Sequence, residues 1–150
     1  MPNYRRLSKN IINKGKFSIV PIRYEDRLDI MNWRNEQIYH LRQDRPLTVE
    51  DQENYFKTVV LDLFKQEQPN QILFSFLEND ILIGYGGLVH INWFDKNAEI
   101  SFIMNTVLEK NRFHEIWIAY FNLIEKVAFE DLKLNKIFTY AFDLRPQLYH

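Results

Sequence analysis

Apolar and polar residues alternate from Phe17 to Ile22, the period of a strand, and Pro21 sets it near an edge or at its own end. Asp26 or a neighbour is positioned to cap a first helix with apolar positions Leu28, Met31 and Trp33. After Pro46, Thr48-Val-Glu-Asp51 has the form of a capping box, and Tyr55, Phe56, Val59, Val60 and Leu63 recur behind it at helical spacing. The period then changes to two. Gln71 to Leu77, Ile81 to Ile91 and Ala98 to Met104 read as strands joined by short turns at Glu78-Asn-Asp80 and Phe94-Asp-Lys-Asn97, an antiparallel meander. From Phe113 the spacing is helical again, through Ile116, Trp117, Tyr120, Phe121, Ile124, Val127, Ala128 and Leu132, with one wide apolar face for the sheet. Lys136 to Phe142 closes as a strand, and Arg145-Pro146 begins a further helix. The helix between the last two strands implies a right-handed, locally parallel pairing in a mostly antiparallel sheet. The expected class is α+β, a twisted sheet flanked by helices.

Composition narrows the reading. With 150 residues, 46% apolar and 26% charged, the chain suits one domain with its own core. The expected division is a basic segment over 1–16 and a single domain over 17–150. Arg5, Arg6, Lys9, Lys14 and Lys16 meet no acidic residue within that segment, which reads as a solvated, partly frayed end or as a phosphate-seeking arm. A net charge of −1 argues against a nucleic-acid partner. No apolar export signal follows the basic stretch, and the longest run without formal charge, Ile81 to Phe94, is too short and glycine-rich to cross a bilayer. A cytoplasmic protein with no membrane partner is expected. The absence of cysteine excludes disulfides, thiolate zinc sites and cysteine nucleophiles. His40, His90, His114 and His150 lack ligand spacing, so no metal is expected. Gly84-Tyr-Gly-Gly87 lies inside a strand without the Lys-Ser/Thr of a phosphate loop, and marks close packing or a bulge.

The order of elements and several local motifs resemble the GNAT superfamily of N-acetyltransferases. Ile83-Gly-Tyr-Gly-Gly-Leu88 is similar to that family's third strand and Asn97-Ala-Glu-Ile-Ser-Phe-Ile103 to its fourth. Val127-Ala-Phe-Glu-Asp-Leu-Lys-Leu-Asn-Lys-Ile137 is similar to the end of its central helix entering the fifth strand. Trp33-Arg-Asn35 with Leu47-Thr-Val-Glu-Asp51 resembles the branch that acetylates protein N-termini or amino-sugar nucleotides. The resemblance runs from about Phe17 to the C-terminus. It implies a three-layer fold, acetyl-CoA as cosubstrate, and a small-molecule or peptide amine as acceptor. The family continues past Tyr149 through a helix and two strands, so the C-terminal part is expected to be missing. The open sheet edge left there would favour a homodimer.

Acetyl transfer from a thioester to an amine sets chemical demands. An alkylammonium titrates near the lysine value of about 10.4 and must lose its proton before attack. The developing oxyanion needs a preorganised donor, and the departing thiolate an acid. Alternation puts Glu99, Ser101 and Ile103 on one face of their strand and Ala98, Ile100, Phe102 and Met104 on the other. By the resemblance Glu99 is the base, acting through water; on residue type alone it is equally a half-exposed strand carboxylate. His90 is a second base or substrate contact in the same cleft, or a structural histidine. Tyr149 is the acid implied by the resemblance, or an aromatic packing near a chain end, and Asp143 stands where an Asn that contacts the cofactor is usual. The backbone of Phe102, Ile103 and Met104 would hold the pantetheine arm. Arg112, Phe113 and His114 occupy the turn expected to bind the pyrophosphate, but Glu115 and Trp117 sit where small residues are usual. A carboxylate there repels phosphate. Trp33, Arg34 and Asn35 would read the acceptor, Arg34 through a phosphate or carboxylate; otherwise they are a buried Trp beside solvated polar groups. The expected reaction is direct attack in a ternary complex without an acyl-enzyme. The alternative, favoured by Glu115 and Trp117, is a fold relative that binds without turnover.

Overall fold

A computed structural model of the protein describes residues 2–41 and 43–139. In chain order they form β1 (Ile12–Lys14), β2 (Phe17–Pro21), α1 (Arg27–Glu36), α2 (Val49–Tyr55), α3 (Leu61–Lys65), β3 (Ile72–Glu78), β4 (Ile81–Asn92), β5 (Asn97–Met104), α4 (Thr106–Glu125) and β6 (Lys136–Phe138). A π-helical turn, Phe56–Val60, joins α2 to α3, and another, Lys126–Asp131, extends α4. The strands lie in one sheet in sequence order, antiparallel throughout except for the parallel pair β5–β6. The crossover through α4 is the parallel connection that the sequence predicts.

Local chemistry accounts for most boundaries. Thr48 and Asp51 form the expected capping box: the Asp51 N–H donates to Thr48 Oγ1 (3.0 Å) and the Thr48 N–H to Asp51 Oδ2 (2.9 Å). Asn79 and Asp80 both take left-handed φ, 50° and 67°, as a tight turn between β3 and β4 requires. The glycines of β4 mark close packing, as expected. A Cβ on Gly86 would lie 2.0 Å from the Ser101 carbonyl oxygen and 2.6 Å from the Tyr120 hydroxyl.

The sheet separates two apolar layers. On one face Phe76 and Phe102 meet Tyr120 of α4, with ring centroids 5.3 and 4.2 Å apart. The opposite face, with Leu73, Tyr85, Val89 and Ser101, looks toward α1, α2 and the turn after α2, where Ile30, Trp33 and Phe56 are buried. The result is the expected three-layer α+β architecture.

Three local expectations are corrected. The N-terminal segment is tied down rather than frayed: Tyr4, Leu7 and Ile12 are buried, and β1 pairs with β2. The Tyr4 hydroxyl donates to the Leu73 carbonyl (2.7 Å) and accepts from its N–H (2.8 Å), while Asp131 accepts the N–H groups of Ser8 and Lys9. The long helix begins at Thr106, about two turns ahead of Phe113, because the Asn105 side chain accepts the Val107 N–H (2.9 Å) and caps the added stretch. Arg112, at φ −128° and ψ 20°, kinks it. Asp26 does not cap α1; its buried carboxylate binds the Arg23 guanidinium and the Ser75 hydroxyl instead. The end of the last strand, Tyr140 to Phe142, and the helix start at Arg145-Pro146 lie outside the described residues.

Candidate active site

A cavity of about 490 Å³ opens between the sheet and the layer of α1 and α2. Alternation along β4 directs Tyr85 and Val89 into it, and the β5 register sets Gly87 opposite Ser101 and Val89 opposite Glu99. Glu99 therefore shares the cavity face, and its side chain is only 12% exposed. Simple alternation would turn His90 to the other face. The pairing is irregular between Val89 and Asn92, and His90 takes a left-handed φ of 49°, which swings its ring back over the carboxylate. His90 Nε2 stands 3.9 Å from Glu99 Oε1, with the imidazole exposed to solvent. The two residues singled out separately in the sequence are thus brought together.

The pairing of β5 with β6 covers Asn97, Ala98 and Glu99 and goes no further among the described residues. Beyond it, Ile103 and Met104 are buried, and Phe102 stacks on Tyr120. The Ser101 carbonyl accepts from the Tyr120 hydroxyl (2.7 Å), whose pKa burial raises well above the ordinary value, so it remains a donor. The Met104 carbonyl accepts from Gln37 Nε2 (2.8 Å).

The three acceptor candidates have different roles. Trp33 is buried in the core. Asn35 fastens the loop before α2: its Nδ2 donates to the Leu47 carbonyl (2.9 Å), and its Oδ1 accepts from the Leu47 N–H (2.7 Å) and from Gln43 (3.1 Å). Only Arg34 lines the cavity, donating to Gln43 and to the Tyr85 hydroxyl. Sequence reading missed Tyr85, Gln71 and Tyr55 of this wall. Gln71 donates to the Tyr55 hydroxyl (3.0 Å), and burial pushes the Tyr55 pKa up, with Tyr85 adding to the rise. The signal for Tyr85 was its parity in β4, legible once the register with β5 is known. On the rim, Arg45 grips Asp51 through two bonds of 2.9 and 3.1 Å and, with the Thr48 N–H, holds its pKa well below the usual carboxylate range.

At the kink of α4 the chemistry differs. Arg112 donates to both oxygens of Glu78 (2.9 and 2.7 Å) and both of Glu115 (2.8 and 2.9 Å). Lys16 adds a contact to Glu78 at 3.0 Å. The Arg112 guanidinium, followed by Lys16, draws the Glu78 pKa down to about 2 and lowers that of Glu115. Phe113 is buried, and His114 is exposed at the surface of the same turn. Asp143 and Tyr149 lie outside the described residues.

These residues suit acetyl-CoA in part. The strand run from Phe102 to Met104, free of β6 among the described residues, offers a lane for an extended pantetheine arm. The helix resumes past Arg112, where a phosphate turn is expected, but the guanidinium already holds two carboxylates. Among the described residues, no group of three or more His, Asp or Glu is arranged to hold a metal, and no helix is long and apolar enough to cross a membrane.

Comparison with known proteins supplies the family. The sequence model of the acetyltransferase (GNAT) domain matches residues 19–144. A variant of the spermidine N-acetyltransferase SpeG from Vibrio cholerae superposes with a TM-score of 0.69 at 19% identity, over 90% of this chain and 75% of that one. A probable acetyltransferase gives 0.68 at 19% identity, over 92% and 78%. The Vibrio cholerae spermidine N-acetyltransferase in complex with CoA and spermine gives 0.67 at 20% identity, over 84% and 71%. No curated protein matches the chain significantly. The structural likenesses speak for the fold, and the family match spans most of the sequence: the chain belongs to the GNAT acetyltransferases, the acetyl-CoA-dependent N-acetyltransferases.

Proposed function

We propose that the protein acetylates a primary amine held in the cavity between α1, α2 and the sheet, by direct attack on the donor thioester in a ternary complex. The observation that carries this reading is the Glu99 carboxylate, largely enclosed on the cavity face where β6 leaves β5. Acetyl-CoA supplies the activated acyl group when bound. The backbone of Phe102, Ile103 and Met104, unpaired with β6 among the described residues, would hold its pantetheine arm. The alkylammonium is a weak acid, and Glu99 takes its proton through one water. His90, 3.9 Å from Glu99 Oε1 and open to solvent, passes that proton outward. The chain has no cysteine, and attack by the amine itself needs no acyl-enzyme. Arg112 and the turn with Phe113 and His114 would hold the pyrophosphate, in place of the Arg112 bonds to Glu115. By the family resemblance, Tyr149 would serve as the acid and Asp143 as a cofactor contact.

A thiol-release assay with a panel of amines tests the reading. Glu99→Gln should lower kcat about a hundredfold or more at neutral pH, the usual worth of a general base, while acetyl-CoA affinity stays within about twofold. Equal turnover in that variant removes Glu99 from the mechanism.

A further inference from the structure

Among the described residues, three formally charged side chains line the cavity, Arg34, Arg45 and Asp51. Arg45 and Asp51 neutralise one another through their paired bonds, and Asp51 also accepts the Thr48 N–H. Arg34 has no such partner: its Nε donates to Gln43 Oε1 (3.0 Å) and a terminal nitrogen donates to the Tyr85 hydroxyl, both neutral acceptors. None of the carboxylates among the described residues stands within ion-pair distance of it. A guanidinium carries five N–H donors in a rigid fork, so Arg34 keeps donors for a ligand. Its posture is fixed in advance. Tyr85 is buried in β4, and Gln43 is itself held by Asn35 (3.1 Å). Arg34 therefore brings to the cavity a positive charge with no carboxylate of its own beside it, separate from the Glu99 carboxylate on the sheet, and water screens its field only partly.

We infer that the acceptor amine also bears an anionic group, a carboxylate or a phosphate, which Arg34 receives while the amine faces Glu99. This rests on the acetyl-transfer reading above. A polyamine is disfavoured in the same space: with one amine at Glu99, its further ammonium groups would face Arg34, and Asp51, the carboxylate lining the cavity among the described residues, is held by Arg45. The fold neighbour solved with spermine thus shares the architecture but not this acceptor chemistry. A paired guanidinium also fixes orientation, since the fork bonds two oxygens at once.

The test compares matched amines on the full chain: phosphoethanolamine against ethanolamine, β-alanine against β-alanine amide, and spermidine. The first two pairs distinguish phosphate from carboxylate. Wild type should favour the charged member of at least one pair by about tenfold or more in kcat/KM, as a charge-assisted bond gives, and should use spermidine poorly. In Arg34→Met that ratio should collapse toward one, with acetyl-CoA affinity retained. Tyr85→Phe, which removes one support of the guanidinium and keeps the ring, should reduce the ratio partway. Spermidine as the best acceptor, or a preference that survives Arg34→Met, overturns the inference and leaves acetyl transfer standing. If no amine is acetylated, calorimetry of the same pairs decides. Arg34-dependent binding of the charged member keeps the anion site and discards the transferase reading, and its absence discards both.

Discussion

Arg34 and Arg112 both leave a helix to meet the sheet, and their partners give them opposite characters. Arg34 is held by an amide and a phenol, so its charge faces the cavity intact. Arg112 is clasped by two carboxylates, with Lys16 close by, so its charge is consumed within the protein. The same residue type has neutral partners in one region and carboxylate partners in the other. Charge counted from sequence says little about availability until the partners are known. On the proposed reading, the acceptor end is preset for an anion, whereas the donor end would have to exchange a carboxylate for a phosphate.

The largest effect should come from disturbing the wall between the two regions. Gly86→Ala sets a methyl 2.0 Å from the Ser101 carbonyl oxygen and against the Tyr120 hydroxyl, and should cost about 2–3 kcal/mol or more in a urea titration. A variant as stable as wild type would mean that β4 and β5 are not so tightly apposed. Glu115→Ala comes next. Releasing one carboxylate from Arg112 should tighten acetyl-CoA binding by about tenfold by calorimetry, a change of about 1.4 kcal/mol. Unchanged or weaker binding would show that Glu115 does not compete with phosphate. The smallest effect is a pH dependence. Glu78 has a folded pKa of about 2, below its ordinary 4.5, so its pairing stabilises the fold above that ordinary value and is lost as pH falls toward 2. The Tm gap between wild type and Glu78→Gln should be steady near neutrality and close at about pH 2, and a gap that persists there would assign the stabilisation to something other than ionisation.

Signals contained within one element were legible in the sequence. Alternation placed Glu99 and Ser101 on a shared face, Thr48 and Asp51 announced their capping box, and the turn at Asn79-Asp80 set the hairpin. The family motifs added the fold and the donor. Non-local contacts were not legible. Tyr4 is anchored by the backbone of Leu73, and Asp26 is drawn from its helix by Ser75, both far off in the chain. Trp33 looked like an acceptor contact because its motif resembles one, yet the core claims it, while its neighbour Arg34 reaches Tyr85 in β4. His90 was suspected, but its return to Glu99 depends on a bulge that no alternation pattern predicts. The early start of α4 hid behind the polar run Glu109-Lys-Asn-Arg112, where an Asn105 cap and the docking of Thr106 on Glu36 matter more than an apolar stripe.

The most direct measurement is a calorimetric titration of the intact chain with acetyl-CoA. Micromolar, saturable binding is the expected result, retained in Glu99→Gln and strengthened in Glu115→Ala. A flat titrant response up to millimolar donor would contradict a working acetyltransferase site along β5.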